Sequence, residues 1–303
     1  MQKILMSIFS ICYLSLSCTN FVPISDLNFK VQTFDLFDQI PSSDYRETSS
    51  NIYYNWTLRR ERLSLIDYEL AKSKPNIIFF QNMMEKNLTD SDESILSSNS
   101  LAKYHFNKAE IFSSSSWNQY LSTVTGAKFV FLTSKLYKLY KDSFILSQVV
   151  SYKDDPILLI NVQLKKFDQT KFFSTLDEIY KDMESKKICK HRVILGGYFG
   201  NDVPKDFSDK ISDYYLKNSF SYLKKESISM FKANPLYNIV IKNPKDPLYY
   251  YDYLFTPNSS TVTNAHLVFN KVYPNKLKRS GLKELSPSLR SGLELSVRLK
   301  SCK

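Results

Sequence analysis

The chain has 303 residues, 43% of them hydrophobic and 15% aromatic, with only 6 glycines and a formal net charge of +11. That length and apolar content supply a real core, which excludes a disulfide-dependent miniprotein and a disordered chain. The charge suggests an anionic partner such as nucleic acid or lipid headgroups; a coding bias toward Lys, Ile, Asn, Tyr and Phe yields the same excess, and both readings stay open.

The opening residues, MQKILMSIFSICYLSLSC, place a cation at Lys3, an apolar run from Ile4 to Leu16 broken by serines, and small Ser17 before Cys18. This predicts a secretory signal too short to remain a membrane span. A signal closing on Cys is similar to the bacterial lipobox in its relaxed, spirochaete-type form, with Leu14 and Leu16 as the apolar positions. The resemblance implies an exported lipoprotein: residues 1–17 removed, Cys18 acylated, residues 18–27 a lipidated tether and residues 28–303 the domain. Two or three acyl chains would hold it to a membrane, which one would not. An ordinary secreted protein with an incidental Cys18 is the alternative. Cys189 and Cys302 are then the remaining thiols, a candidate disulfide in an oxidising compartment; sequence fixes no distance, so pairing and separation both stand. Three glycosylation-like triplets begin at Asn55, Asn87 and Asn258, as chance allows in a chain rich in Asn and Ser.

Further along, FKVQTFDLF (29–37) alternates as a strand does, and residues 56–72 carry Leu63, Ile66 and Leu70 at helical spacing. PNIIFFQ (75–81) predicts a buried strand. The polar stretches LTDSDESILSSNSL and IFSSSSWNQ read as loops. Strands follow at 127–134, 143–152 and 157–164. A helix over 170–186 shows an apolar face of Phe173, Leu176, Ile179, Tyr180 and Met183. The strand HRVILGGYF (191–199) carries Gly196 and Gly197 and leads into Gly200. A helix near 207–217 and strands at YNIVIK, YYDYLF, AHLVFNKV and LELSVRL complete one α/β domain.

In this order and spacing the segments resemble the endonuclease/exonuclease/phosphatase family, the deoxyribonuclease-I-like metal-dependent phosphodiesterases, over nearly the whole mature chain. The matching stretches are Phe34-Asp35-Leu36, Pro75 to Asn82, Gly126 to Leu132, Asn161-Val162-Gln163-Leu164, Gly196-Gly197-Tyr198-Phe199-Gly200, Tyr251 to Phe255, and Arg290-Ser291-Gly292. The resemblance implies a four-layer α/β-β/α sandwich, two packed, mainly antiparallel sheets flanked by helices.

It also implies what has been lost. Where the family has a metal-binding acid after Gln81, this chain has Asn82. Its catalytic Asp and Asn are Tyr198 and Gly200, and its two histidines are Gln163 and Gly292, the latter beside Ser291. Magnesium requires carboxylate oxygens in near-octahedral geometry. Losing a general base costs roughly a hundredfold to ten-thousandfold, and a catalytic unit that has lost several members retains little mechanism. Gln81 and Asp252 keep the family's residues; Asp252 has lost its His and is left exposed or paired with Arg290.

No catalytic residue or metal site is therefore assigned, and no cofactor is expected. The reading is a lipid-anchored, non-catalytic binding protein whose partners are the membrane, through its anchor, and an extracellular ligand, with an anionic one among the options. The alternative is a Mg2+- or Mn2+-dependent phosphodiesterase, nuclease or sphingomyelinase-like hydrolase with ligands moved to Asp35, Glu85, Asp202 or Asp252. The basic run NKLKRSGLK (275–283) favours a third possibility, nucleic-acid binding without cleavage, although such a run is ordinarily a solvated loop and nucleic acid is not the partner expected. His105, His191 and His266 fall outside the family's catalytic positions.

Overall fold

Alternation of β-branched and aromatic residues builds two sheets. The computed structural model describes residues 26–36, 59–86, 94–113, 117–200, 203–204, 206–219, 252–269, 273–274, 284–285 and 292–302. The signal and Cys18, the triplets at Asn55 and Asn87, the YNIVIK strand, the basic run at 275–283, Asp202, Arg290 and Ser291 lie outside them.

The first sheet contains β1 (Leu27–Asp35), β2 (Ile77–Lys86), β3 (Tyr104–Ser113), β4 (Trp117–Gly126), β11 (Thr261–Val268) and β14 (Gly292–Leu299), in the order β11-β14-β1-β2-β4-β3. The second contains β5 (Phe129–Tyr140), β6 (Ser143–Tyr152), β7 (Asp155–Gln163), β8 (Val193–Tyr198), β9 (Leu216–Asn218) and β10 (Asp252–Pro257), in the order β5-β6-β7-β8-β10-β9. Each sheet has one parallel pair, β1 with β2 and β7 with β8, and is otherwise antiparallel. A two-residue ribbon pairs β12 (Tyr273–Pro274) with β13 (Glu284–Leu285).

Three cores separate four layers. Between the sheets, Phe29, Val31, Ile77 and Phe79 meet Val150, Leu159, Ile194 and Leu254. Outside the first sheet, Ile66 and Leu70 of α1 (Arg59–Ser73) cover Phe34, Ile78 and Phe80. Outside the second, α2 (Gln169–Ser185) presses Phe172, Leu176, Ile179 and Met183 onto Leu158, Ile160 and Val193. Burying one such side chain contributes about 1.5–3 kcal/mol, so each face holds its helix without help from intrinsic propensity. Asp168 caps α2 by accepting from Lys171 N at 3.0 Å. Among the described residues, no helix is long and apolar enough to cross a membrane.

Several local expectations change. The two ends of the stretch IFSSSSWNQ, 111–113 and 117–119, belong to β3 and β4, where cross-strand pairing holds them extended; 114–116 lie outside the described residues. Gly126 ends β4 rather than opening the next strand. Phe172 rather than Phe173 is the fully buried ring at the start of α2. On α1 the inward stripe is Arg62, Ile66 and Leu70, with Leu63 only half-buried. The Arg62 guanidinium is hidden because its Nη2 donates to Leu36 O at 2.8 Å. The helix after Phe207 is short, α3 (Phe207–Ser212); a turn over 213–215 follows, and β9 begins at Leu216.

Candidate functional site

Parallel pairing brings the C-terminal ends of β1, β2, β7 and β8 to one edge of the sandwich. Asp35 lies opposite Gln81 in the first sheet, and Gln163 opposite Tyr198 in the second. Tyr198 in turn faces Asp252 across β10. The sequence-nominated positions 35, 81, 82, 163, 198 and 252 thus gather at one end, and Gly292 begins β14 beside them, next to Thr33 O.

Asn82 is the hub. The pairing of β2 with β4 slips between Phe80 and Met83, and Asn82 takes a left-handed backbone with φ 51°. Asn tolerates that conformation better than most residues, and a bulge of this kind re-aims a side chain at a strand end. Asn82 Nδ2 donates to Asp35 Oδ1 at 2.8 Å, Gln119 Nε2 donates to Asn82 Oδ1 at 2.8 Å, and the Asn82 backbone N–H donates to Gln163 Oε1 at 2.8 Å. Asp35, Asn82 and Gln163 are all buried. One carboxylate from β1 is therefore held in a net of amides from β2, β4 and β7.

A second amide pair lies directly beneath, between the sheets. Gln81 Nε2 donates to Asn161 Oδ1 at 2.8 Å, and Asn161 Nδ2 donates to Ser122 O at 2.8 Å and to Phe80 O at 3.3 Å. Thr33 Oγ1 donates to Gln81 Oε1 at 3.3 Å. Buried polar groups are tolerated when partnered like this, and the arrangement pins β2 to β4 and β7.

A divalent cation does not fit these residues. The amide N–H groups of Asn82 carry partial positive charge, and one of them is spent on the Asp35 oxygen that a metal would need. Among the described residues, no group of three or more His, Cys, Asp or Glu is placed to hold a metal. Glu85, a relocated-ligand candidate, is engaged elsewhere: it forms an ion pair with Lys108 and accepts from Ser94 Oγ at 2.8 Å. Asp252 is buried rather than exposed.

The other positions nominated by the resemblance are tightly packed. A Cβ on Gly292 would meet Thr33 O at 2.8 Å and the rings of Phe269 and Phe34 at 3.0 Å each. Those rings stack on each other with centroids 4.1 Å apart. Position 292 has no room for imidazole. Gly196 and Gly197 lie inside β8, not in a turn after it, and their lack of a side chain serves packing: a Cβ on Gly197 would sit 2.0 Å from Val162 O. Tyr198 is half-buried, and Gly200, with φ 78°, is buried beyond the strand end.

The family's fold, reached independently from the coordinates, agrees. The chain matches no protein-family model and no curated protein sequence significantly. Solved structures do resemble it. An endonuclease/exonuclease/phosphatase family protein from Bacteroides thetaiotaomicron has a TM-score of 0.63 at 13% identity, covering 91% of this chain and 99% of its own. TDP2 from Caenorhabditis elegans gives 0.60 at 11%, over 96% and 81%, and D. rerio TDP2 complexed with a single-strand DNA product gives 0.56 at 12%, over 90% and 99%.

The fold is that of the endonuclease/exonuclease/phosphatase proteins. At these identities the likeness establishes architecture alone, and the site's chemistry rests on its own residues.

Sequence reading missed Gln119 and Asn161 as members of the site. Gln119 fell in a stretch read as loop, although the β-branched alternation of LSTVTG just after it signals a strand. Asn161 was visible only as part of a motif. The histidines lie elsewhere, with His105 Nδ1 2.8 Å from Phe129 O, His191 Nδ1 2.7 Å from Ser259 Oγ, and His266 Nε2 3.3 Å from Glu294 Oε1. Cys189 and Cys302 are joined in a disulfide, with Cα atoms 6.0 Å apart.

Proposed function

We propose that this chain is a lipid-anchored, non-catalytic binding protein on an endonuclease/exonuclease/phosphatase scaffold, tethered through Cys18 and presenting its basic surface to an extracellular ligand. The observation that carries this reading is the Asn82–Asp35 hydrogen bond, which puts an amide where phosphodiester hydrolysis of this architecture would seat its cation. With Gln163 and Gly292 at the imidazole positions, neither position offers an imidazole to activate water. The amide net supports a structural role for the old centre, leaving recognition to the surface.

The test is direct. Purified mature protein at high concentration is incubated with single-stranded DNA, RNA, sphingomyelin and an artificial phosphodiester, with Mg2+ or Mn2+. No turnover is expected. Hydrolysis abolished by Asp35→Asn or Glu85→Gln establishes instead a relocated active site. Palmitate labelling that disappears in Cys18→Ser checks the anchor, and an unlabelled wild-type chain contradicts it.

A further inference from the structure

At the opposite end of β8 from the amide net, an open pocket of about 390 Å³ is lined by Cys189, Lys190, His191, Tyr215 and Cys302. Its wall thus contains both disulfide-bonded cysteines. The cysteines are half-buried and Lys190 is exposed. The shape is held by its surroundings: His191 Nδ1 lies 2.7 Å from Ser259 Oγ, its ring meets Tyr215 edge-on at 5.1 Å, and Asn258 N donates to Tyr215 O at 2.8 Å. Among the described residues, the lining includes a cation and an imidazole but no side-chain carboxylate.

We propose that this pocket is an exchange site for anionic low-molecular-weight thiols, which open Cys189–Cys302. The thiolate attacks Cys302 Sγ, the S–S bond breaks, and its electron pair leaves on Cys189 Sγ. Lys190 stabilises that thiolate until it takes a proton from water. A second thiolate then attacks the small-molecule sulfur of the mixed disulfide, releasing Cys302 as a thiol. Two thiols are oxidised to one small disulfide and the protein disulfide is reduced to two cysteines. Exchange rates depend on access and on the leaving thiol's acidity, and a neighbouring ammonium favours both an anionic attacker and an anionic leaving group.

The experiment measures reduction of the mature protein's disulfide, by alkylation and mass spectrometry, with mercaptoethanesulfonate, 2-mercaptoethanol and cysteamine. Each rate is divided by that thiol's rate on a simple alkyl disulfide. The anionic thiol should be fastest, and Lys190→Gln should slow it by about fivefold, the worth of one unit charge near contact in water. Cysteamine should be slowed less by the same substitution, because loss of leaving-group stabilisation is offset by relief of repulsion between the two ammonium groups. Exposed Lys141 lies far along the chain at the turn between β5 and β6, so Lys141→Gln controls for net charge. Equal effects of the two substitutions, no preference among the thiols, or no exchange at all would overturn the proposal.

Discussion

Asn82 Nδ2 lies 2.8 Å from Asp35 Oδ1, an amide donating to a buried carboxylate across the ends of two parallel strands. Replacing that amide by an isosteric acid is the smallest change that reverses the local charge logic. Asn82→Asp retains the left-handed backbone, which Asp also tolerates, but sets two carboxylates against each other. Two such acids titrate as a pair, and the higher apparent pKa is raised. A raised folded-state pKa means the penalty appears as pH rises, so the variant should lose about 1–3 kcal/mol at neutral pH and recover stability on acidification. Added Mn2+ should restore it at neutral pH, as thermal melts at several pH values would show. A variant as stable as wild type at neutral pH, with no metal effect, contradicts this account.

Gly292 makes a steric prediction. Its missing side chain is closed in by Thr33 O and by the Phe34–Phe269 stack. Gly292→Ala should cost about 2–4 kcal/mol in urea unfolding, because backbone on β1 must move. Gly292→His should cost more and restore no hydrolysis. An alanine variant within about 0.5 kcal/mol of wild type would show that the position has slack.

The Gln81–Asn161 pair predicts strong coupling. Asn161→Leu leaves Ser122 O and Phe80 O without their side-chain donor and should cost about 2–4 kcal/mol. Gln81→Leu alone should be similarly damaging. The double variant should cost less than the sum, since removing both amides avoids leaving either one orphaned by the loss of the other. Additive losses in a double-mutant cycle would mean that the two amides act independently.

Much of the architecture was legible because its signals are strong. The run at 143–152 is apolar enough to be a strand under any reading and forms β6 over the same residues. The spacing of Leu176, Ile179 and Met183 likewise makes α2 readable. The facing ends of β3 and β4 were hidden because the serine run between them reads as a turn and masks the strand signal on either side. The site was legible as a set of positions, and its wiring was not. That Asn82 bonds Asp35 depends on a bulge at Phe80–Met83, and that Gly292 is sealed depends on Phe269, twenty-three residues away. The glycines of β8 show the opposite hazard: they resemble a catalytic turn in sequence, yet their packing against Val162, Phe79 and Leu254 accounts for them without catalysis.

The Cys189–Cys302 disulfide spans a sequence separation of 113 and ties the chain just after β14 to the approach to β8. By loop entropy, Cys302→Ser should lower stability by about 2–5 kcal/mol. Wild-type protein under strong reductant should match the variant in denaturant titrations. A variant as stable as the oxidised protein would mean that the cross-link constrains only the chain end.

Electron paramagnetic resonance of Mn2+ titrated with the mature protein tests the central claim most directly, since bound and free ions differ in signal intensity. With Asn82 bonded to Asp35 and no acid cluster among the described residues at that edge, the free-ion signal should be unaffected up to millimolar protein, and Asp35→Asn should change nothing. Stoichiometric loss of free Mn2+ that disappears in Asp35→Asn would show that the strand ends still seat a cation, and the account of a disarmed hydrolase scaffold would fail.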